Sequence, residues 1–306
     1  MNRITLACIV SALITPIAMA DMTIGVTQAF GNHLFLTNVR NAMEEQAATY
    51  SDVTLQFEDA QGDIGRQLNH IQNFISADLD AMIVSAVDTA ATPRMISLAQ
   101  EANIPLVFVN REPEIDNLPE GVAFVGSDEN DSGRLQIEEI ARLLNYEGNV
   151  AIMVGELGIN ATVLRTKGVE DFVGQHPDMH IVAKQPAHFM RNDAIDLMNN
   201  WIVDGRQIDA IAANNDEMAI GAIRAMHQAG LDPQNMIIGG IDASGDALME
   251  MENGNLDVTV FQDAKGQGRE SVKTAVSLIQ GGHVDSYVWL PFQLVTPDNY
   301  KDFIDQ

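Results

Sequence analysis

Cysteine is almost missing: the 306 residues hold one, Cys8. It falls in an amino-terminal stretch that reads as a secretory leader, so the exported chain has no thiol for a disulfide, a thiolate nucleophile or a thiolate metal site. Basic residues are scarce as well, 17 against 43 acidic ones, for a net charge of −26 that becomes −27 once Arg3 leaves with the leader. A surface of that sign repels phosphates and excludes nucleic acid as a partner. It reads as the solvation of a very soluble protein and not as a ligand selector, because salt screens exposed charges beyond about 8–10 Å. After residue 20 no apolar run approaches the roughly 20 residues of a membrane-spanning helix. The signatures of common catalysts are absent too: the sequence contains no G-x-S-x-G elbow, H-E-x-x-H helix, P-loop or G-x-G-x-x-G turn.

The leader is read from Arg3, the apolar run Ile4 to Ile17, and the small-residue site Ala18-Met19-Ala20 before Asp21. Cleavage after Ala20 and a periplasmic location are expected. Pro16 and the shortness of the run argue against an amino-terminal anchor, and the seven residues before Cys8 against a lipoprotein.

What is present is a repeated alternation of short β-rich apolar runs with helical stretches, the pattern of βαβ units on a parallel sheet. Strands are expected at Thr23–Thr27, Val53–Phe57, Ala81–Ser85, Leu106–Val109 and Val122–Val125. A second series follows at Asn149–Val154, Ile181–Ala183, Ala210–Ala213 and Met236–Ile241, with helices such as Ile195–Val203 between its members. Two successive series imply an α/β chain of two doubly wound parallel-sheet lobes with a cleft between them. The lobes are expected at 21–127 plus 263–290 and at 128–262 plus 291–306. Three crossings are expected to join them, at Ser127–Ser132, Thr259–Asp263 and Tyr287–Pro291, which favours hinge closure.

Open α/β sheets bind ligands beyond the carboxyl ends of their strands, and polar or aromatic residues recur at that place in both series. They are Asn32 and Phe35 after the first strand, Asn110 and Arg111 after the fourth, Arg165, Phe189, Asn215 and Asp242 in the second series, and Gln262 on a crossing. Sugar hydroxyls both donate and accept, so amides, carboxylates and guanidinium forks suit them, and aromatic faces cover ring C–H surfaces. Taken singly, such residues are ordinary turns, caps or core; Asn215 is equally a helix cap. The seven histidines, His33 among them, show no metal-ligand spacing and read mostly as surface or capping residues. Asp128 to Glu139 matches the oxygen spacing of a calcium loop, but the helical pattern of Leu135–Leu144 starts inside it, so a hinge and helix cap is expected there. No catalytic residue, metal or cofactor is assigned.

The segments Ile104–Pro113 (IPLVFVNREP), Arg165–Gly168, Ala183–Phe189 (AKQPAHF), Asn214–Gly230 (NNDEMAIGAIRAMHQAG), Ile237–Asp242 (IIGGID) and Thr259–Asp263 (TVFQD) resemble the ribose-binding type of periplasmic solute-binding protein. The resemblance spans residues 22 to 296. It implies the type I periplasmic binding protein fold, a small neutral sugar or cyclic polyol as ligand, an ABC permease of the inner membrane as partner, and a chemoreceptor as a second partner open to such receptors. The family's ligand positions fall on the nine residues already chosen by topology. Leu34, Asn110 and Ile241 stand where an aromatic, an Asp and an aromatic are usual. The Val-Asn-Arg-x-Pro wording is similar to inositol-type members, which places an inositol-like ligand first and a ribose-like one second. The alternatives are a secreted carbohydrate-active α/β enzyme, with Asp242 and Glu58 or Asp59 as its carboxylates, and the effector half of a sugar-responsive repressor, against which the leader argues.

Overall fold

The computed structural model describes residues 21–304; the leader and Cys8 lie outside them. The first series forms β1 (Met22–Gln28), α1 (Leu34–Ala47), β2 (Val53–Asp59), α2 (Ile64–Ser76), β3 (Ala81–Val84), α3 (Thr92–Ala102), β4 (Leu106–Val109) and β5 (Val122–Gly126). The second forms α4 (Glu129–Leu143), β6 (Gly148–Val154), α5 (Asn160–Val173), β7 (Met179–Pro186), α6 (Arg191–Val203), β8 (Ala210–Ala213), α7 (Asp216–Gln228), β9 (Ile237–Gly239) and α8 (Gly245–Glu252). The chain closes with β10 (Thr259–Phe261), α9 (Ala264–Ile279), β11 (Tyr287–Trp289) and β12 (Gln293–Val295).

Two parallel sheets result, ordered β11-β5-β4-β3-β1-β2 and β7-β6-β8-β9, with β10 and β12 as a short antiparallel pair. Bridges from Gly239 to Val258 and from Asp242 to Phe261 join β10 and the residues before it to the second sheet's side of the molecule. Strands β3, β4 and β5 are buried at every position, as expected where helices cover both faces of a parallel sheet. Helix α9 returns to the first sheet: its Val272, Ala275 and Val276 pack with Ile24, Val39 and Met43. The second unit has its own core around Met153, Trp201, Ile211 and Met226.

Three differences from the sequence expectations have local causes. The Ser127–Ser132 crossing shortens to two residues, because Asp128 caps Asn130 N–H and α4 starts at Glu129. Strand β7 is longer than Ile181–Ala183, since it is a sheet edge, and its half-exposed residues hid the apolar signal. Strand β9 ends at Gly239 rather than Ile241, where the chain turns to bridge β10.

Candidate functional site

In both sheets the chain order reverses at one point, between β1 and β3 and between β6 and β8. The loops leaving these strands diverge there and open a crevice. The two crevices face one another across a cavity of about 140 Å³, against the roughly 10–15 Å³ that one water requires. It takes a small molecule.

Eight of the nine expected residues line this cavity: Phe35, Asn110, Arg111, Arg165, Phe189, Asn215, Asp242 and Gln262. Asn32 does not; it is exposed in the turn before α1, and His33 occupies the wall instead. His33 stands at the N-cap position of α1, half-buried, with its ring stacked on Phe30 at 4.3 Å. Burial and the nearby Arg111 lower its pKa to about 4, so it is neutral near pH 7. Leu34 sits at the mouth, 40% exposed. Ile241 is fully buried among Val260 and Phe292, away from the wall. Of the two carboxylates considered for an enzyme, neither Glu58 nor Asp59 reaches the cavity; Asp59 instead accepts from the Gly31 and Gln61 N–H groups.

Both arginines are buried and tied down. Arg165, on α5, forms a two-bonded pair with Glu129 at 2.8 Å for each bond, donates to the Asn214 carbonyl at 2.8 Å and to Gln262 Oε1 at 3.1 Å. Four of the five guanidinium N–H groups are thereby used, leaving one for the cavity. Arg111 gives Nη1 to the Ala86 and Val87 carbonyls and Nη2 to Glu156 at 3.0 Å, leaving two. Neither Glu129 nor Glu156 was singled out from sequence. Glu129 was hidden inside the calcium-like spacing, and Glu156 meets Arg111 only across the fold.

The Phe189 wall has room made for it by a glycine. A Cβ on Gly155 would lie 2.2 Å from the Phe189 ring, so the ring packs directly on backbone after β6. Asn215 caps α7 through Met218 N–H at 3.1 Å and donates to the Phe189 carbonyl at 3.3 Å; it is both cap and wall.

Backbone strain gathers here. Asn110, Phe189 and Asp242 have φ of 67°, 59° and 126°, which non-glycine residues seldom adopt. The Arg111 N–H donates to the Val109 carbonyl at 2.7 Å around Asn110, a strained γ-turn that an Asn side chain tolerates. The Asp242 carboxyl makes no hydrogen bond with the described residues; burial and the neighbouring Asp216 and Glu129 hold its pKa well above the usual carboxylate range, against the pull of Arg165. Asp242 is half-buried, and it lines the open cavity. An oxygen-rich solute would satisfy it.

A family model described as a periplasmic binding protein domain matches residues 24–283. The chain is 46% identical, over 99% of both chains, to a putative rhizopine-binding protein of Rhizobium meliloti. Its fold is similar to an ABC transporter solute-binding protein of Bacillus halodurans solved with myo-inositol (TM-score 0.89, 43% identity, 94% of this chain and 98% of that one). It is also similar to a Caulobacter myo-inositol-binding protein (TM-score 0.88, 26% identity, 94% and 97%). The chain belongs to the periplasmic binding protein family, on its ribose-type sugar-binding side, and is a binding protein of the ABC importer class rather than an enzyme.

Proposed function

We propose that the chain captures an inositol-like cyclic polyol in the interlobe cavity, with a ribose-like monosaccharide as the second choice. Asn110 and Arg111 hold the ring from the first lobe, and Arg165, Asn215 and Asp242 hold it from the second. Phe35 and Phe189 cover its faces, and Gln262 fixes Arg165. The single observation that carries the reading is the unpartnered Asp242 carboxyl on strained backbone, facing a cavity lined by two arginines with three N–H groups to spare. The myo-inositol bound by the Bacillus halodurans and Caulobacter proteins supports the cyclic class.

The lobes are 21–127 plus 263–290 and 128–262 plus 291–306. A solute touching both binds the closed form better than the open one, and closure follows. An inner-membrane ABC permease then receives the closed form. Export with cleavage after Ala20 puts the receptor in the periplasm, and amino-terminal sequencing of the periplasmic protein should begin at Asp21.

Calorimetric titration of the mature protein against inositols, rhizopine, ribose, xylitol and hexoses should give one tight, saturable binder, which is recovered chemically unchanged. No binding across the panel overturns the reading. Asp242→Ala should weaken that binder by at least about 2 kcal/mol, because solute hydroxyls lose a buried partner.

A further inference from the structure

Apart from the three chain crossings, the described residues show hydrogen bonds that link the units directly at two places. Arg111, after β4, donates to Glu156, in the loop between β6 and α5, at 3.0 Å. The Thr89 N–H, in the turn after β3, donates to the Gly158 carbonyl at 3.2 Å, and its hydroxyl lies 3.5 Å from the same oxygen. Gly158 has φ +91°, a conformation that strains any other residue. The loop 155–159 therefore rests on the first unit at two points two residues apart, Glu156 on Arg111 and Gly158 on Thr89.

The ion pair is well shielded, with side-chain exposures of 4% for Arg111 and 20% for Glu156. Shielded pairs of this kind depend on both partners, since a guanidinium left alone in such a place is costly. Arg111's other amino group is already committed to two carbonyls of its own unit. Separation of the units thus breaks one half of its bonding, the half that Glu156 supplies. Two halves of one solute-holding side chain are fixed by two different lobes.

We propose that Glu156 is a positioning residue of the solute site, acting through Arg111: together with the Thr89–Gly158 contact it forms a latch that holds the lobes shut and sets the guanidinium plane. The inference rests on the solute-binding function proposed above. Part of the solute's affinity then comes from a protein–protein contact made only on closure, because a larger population of the binding-competent form lowers the apparent Kd. The unliganded protein is also partly closed.

The test uses the mature chain, whose lack of cysteine allows paired spin labels at Gln100→Cys on α3 and Val163→Cys on α5. Without solute, the latch predicts a population at short inter-label distance, and Glu156→Gln should move that population to longer distances. Gly158→Ala, which disturbs the latch without touching charge, should move it the same way. With myo-inositol as the probe, Glu156→Gln should raise Kd about tenfold. Unchanged distance distributions in both variants overturn the latch. If myo-inositol fails to bind the unaltered protein, the ligand assignment fails, and the solute-free distances still decide the latch.

Discussion

At the scale of single residues, the site depends on charges that are buried in pairs. Glu129 and Arg165 have side-chain exposures of 3% and 5%, and Ser132 donates to the same carboxylate at 2.9 Å. Breaking a buried pair by removing one partner typically costs about 3–5 kcal/mol, since the survivor keeps its desolvation penalty. Glu129→Gln should therefore lower the unfolding free energy by about that amount in urea denaturation, with little change in the denaturant slope. Arg165→Met added to it should restore part of the loss, as the two changes share one interaction, and should still leave solute binding abolished. Strict additivity of the two changes would show that the pair contributes no coupling. Asp242 differs from Glu129 in having its arginine near but no hydrogen bond, which is why one carboxylate belongs to the framework and the other to the solute.

At the scale of elements, the arginines are placed by backbone approach as much as by charge. Helices α4 and α5 cross where Gly133 meets Gly168: a Cβ on Gly133 would stand 2.2 Å from the Arg165 carbonyl oxygen, and one on Gly168 would stand 2.9 Å from the Arg134 nitrogen. That close crossing sets Arg165 over Glu129. Gly133→Ala should push α5 outward, cost about 1–3 kcal/mol of stability by overpacking, and weaken solute binding more than a surface change of equal destabilisation; calorimetric melting and titration on the same sample check both. The elements themselves were largely legible in sequence, because β3, β4, β5 and β8 are unbroken apolar runs at the centres of covered sheets. Edge strand β7 was legible only in part, at Ile181–Ala183, since its solvent side dilutes the signal. Eight of the nine residues expected from their place after strands line the cavity, whereas Asn32 does not and its neighbour His33 does. Glu129 and Glu156 were illegible because their partners lie 36 and 45 residues away in sequence and are met only across the fold.

At the scale of the whole molecule, two buried groups tie folding to pH with opposite signs. His33 has its pKa lowered to about 4 from 6.5 by burial and by Arg111. The unfolded chain takes up this proton first, so the contribution of neutral His33 is complete above pH 6.5 and is lost as pH falls toward 4. Asp216, fully buried at the start of α7, has its pKa raised to about 6 from 3.8 by burial, in spite of bonds from the Thr259 hydroxyl and the Ser244 N–H at 2.7 Å each. Here the folded chain keeps the proton longer, so its contribution is present below pH 3.8 and is lost as pH rises to 6, on the order of 3 kcal/mol. Between pH 4 and 6 the two slopes oppose one another. Single variants should separate them. His33→Phe, which keeps the stack on Phe30, should gain stability relative to the unaltered chain as pH falls from 6.5 to 4. Asp216→Asn sets an amide against the Ser244 N–H and starts less stable, but its deficit should shrink as pH rises from 3.8 to 6. Urea midpoints measured at half-unit pH steps give both differences; parallel curves in either case would mean that the group titrates alike in the folded and unfolded chains. High salt, by screening the self-repulsion of a chain carrying −26, should raise all the curves together without altering the two differences.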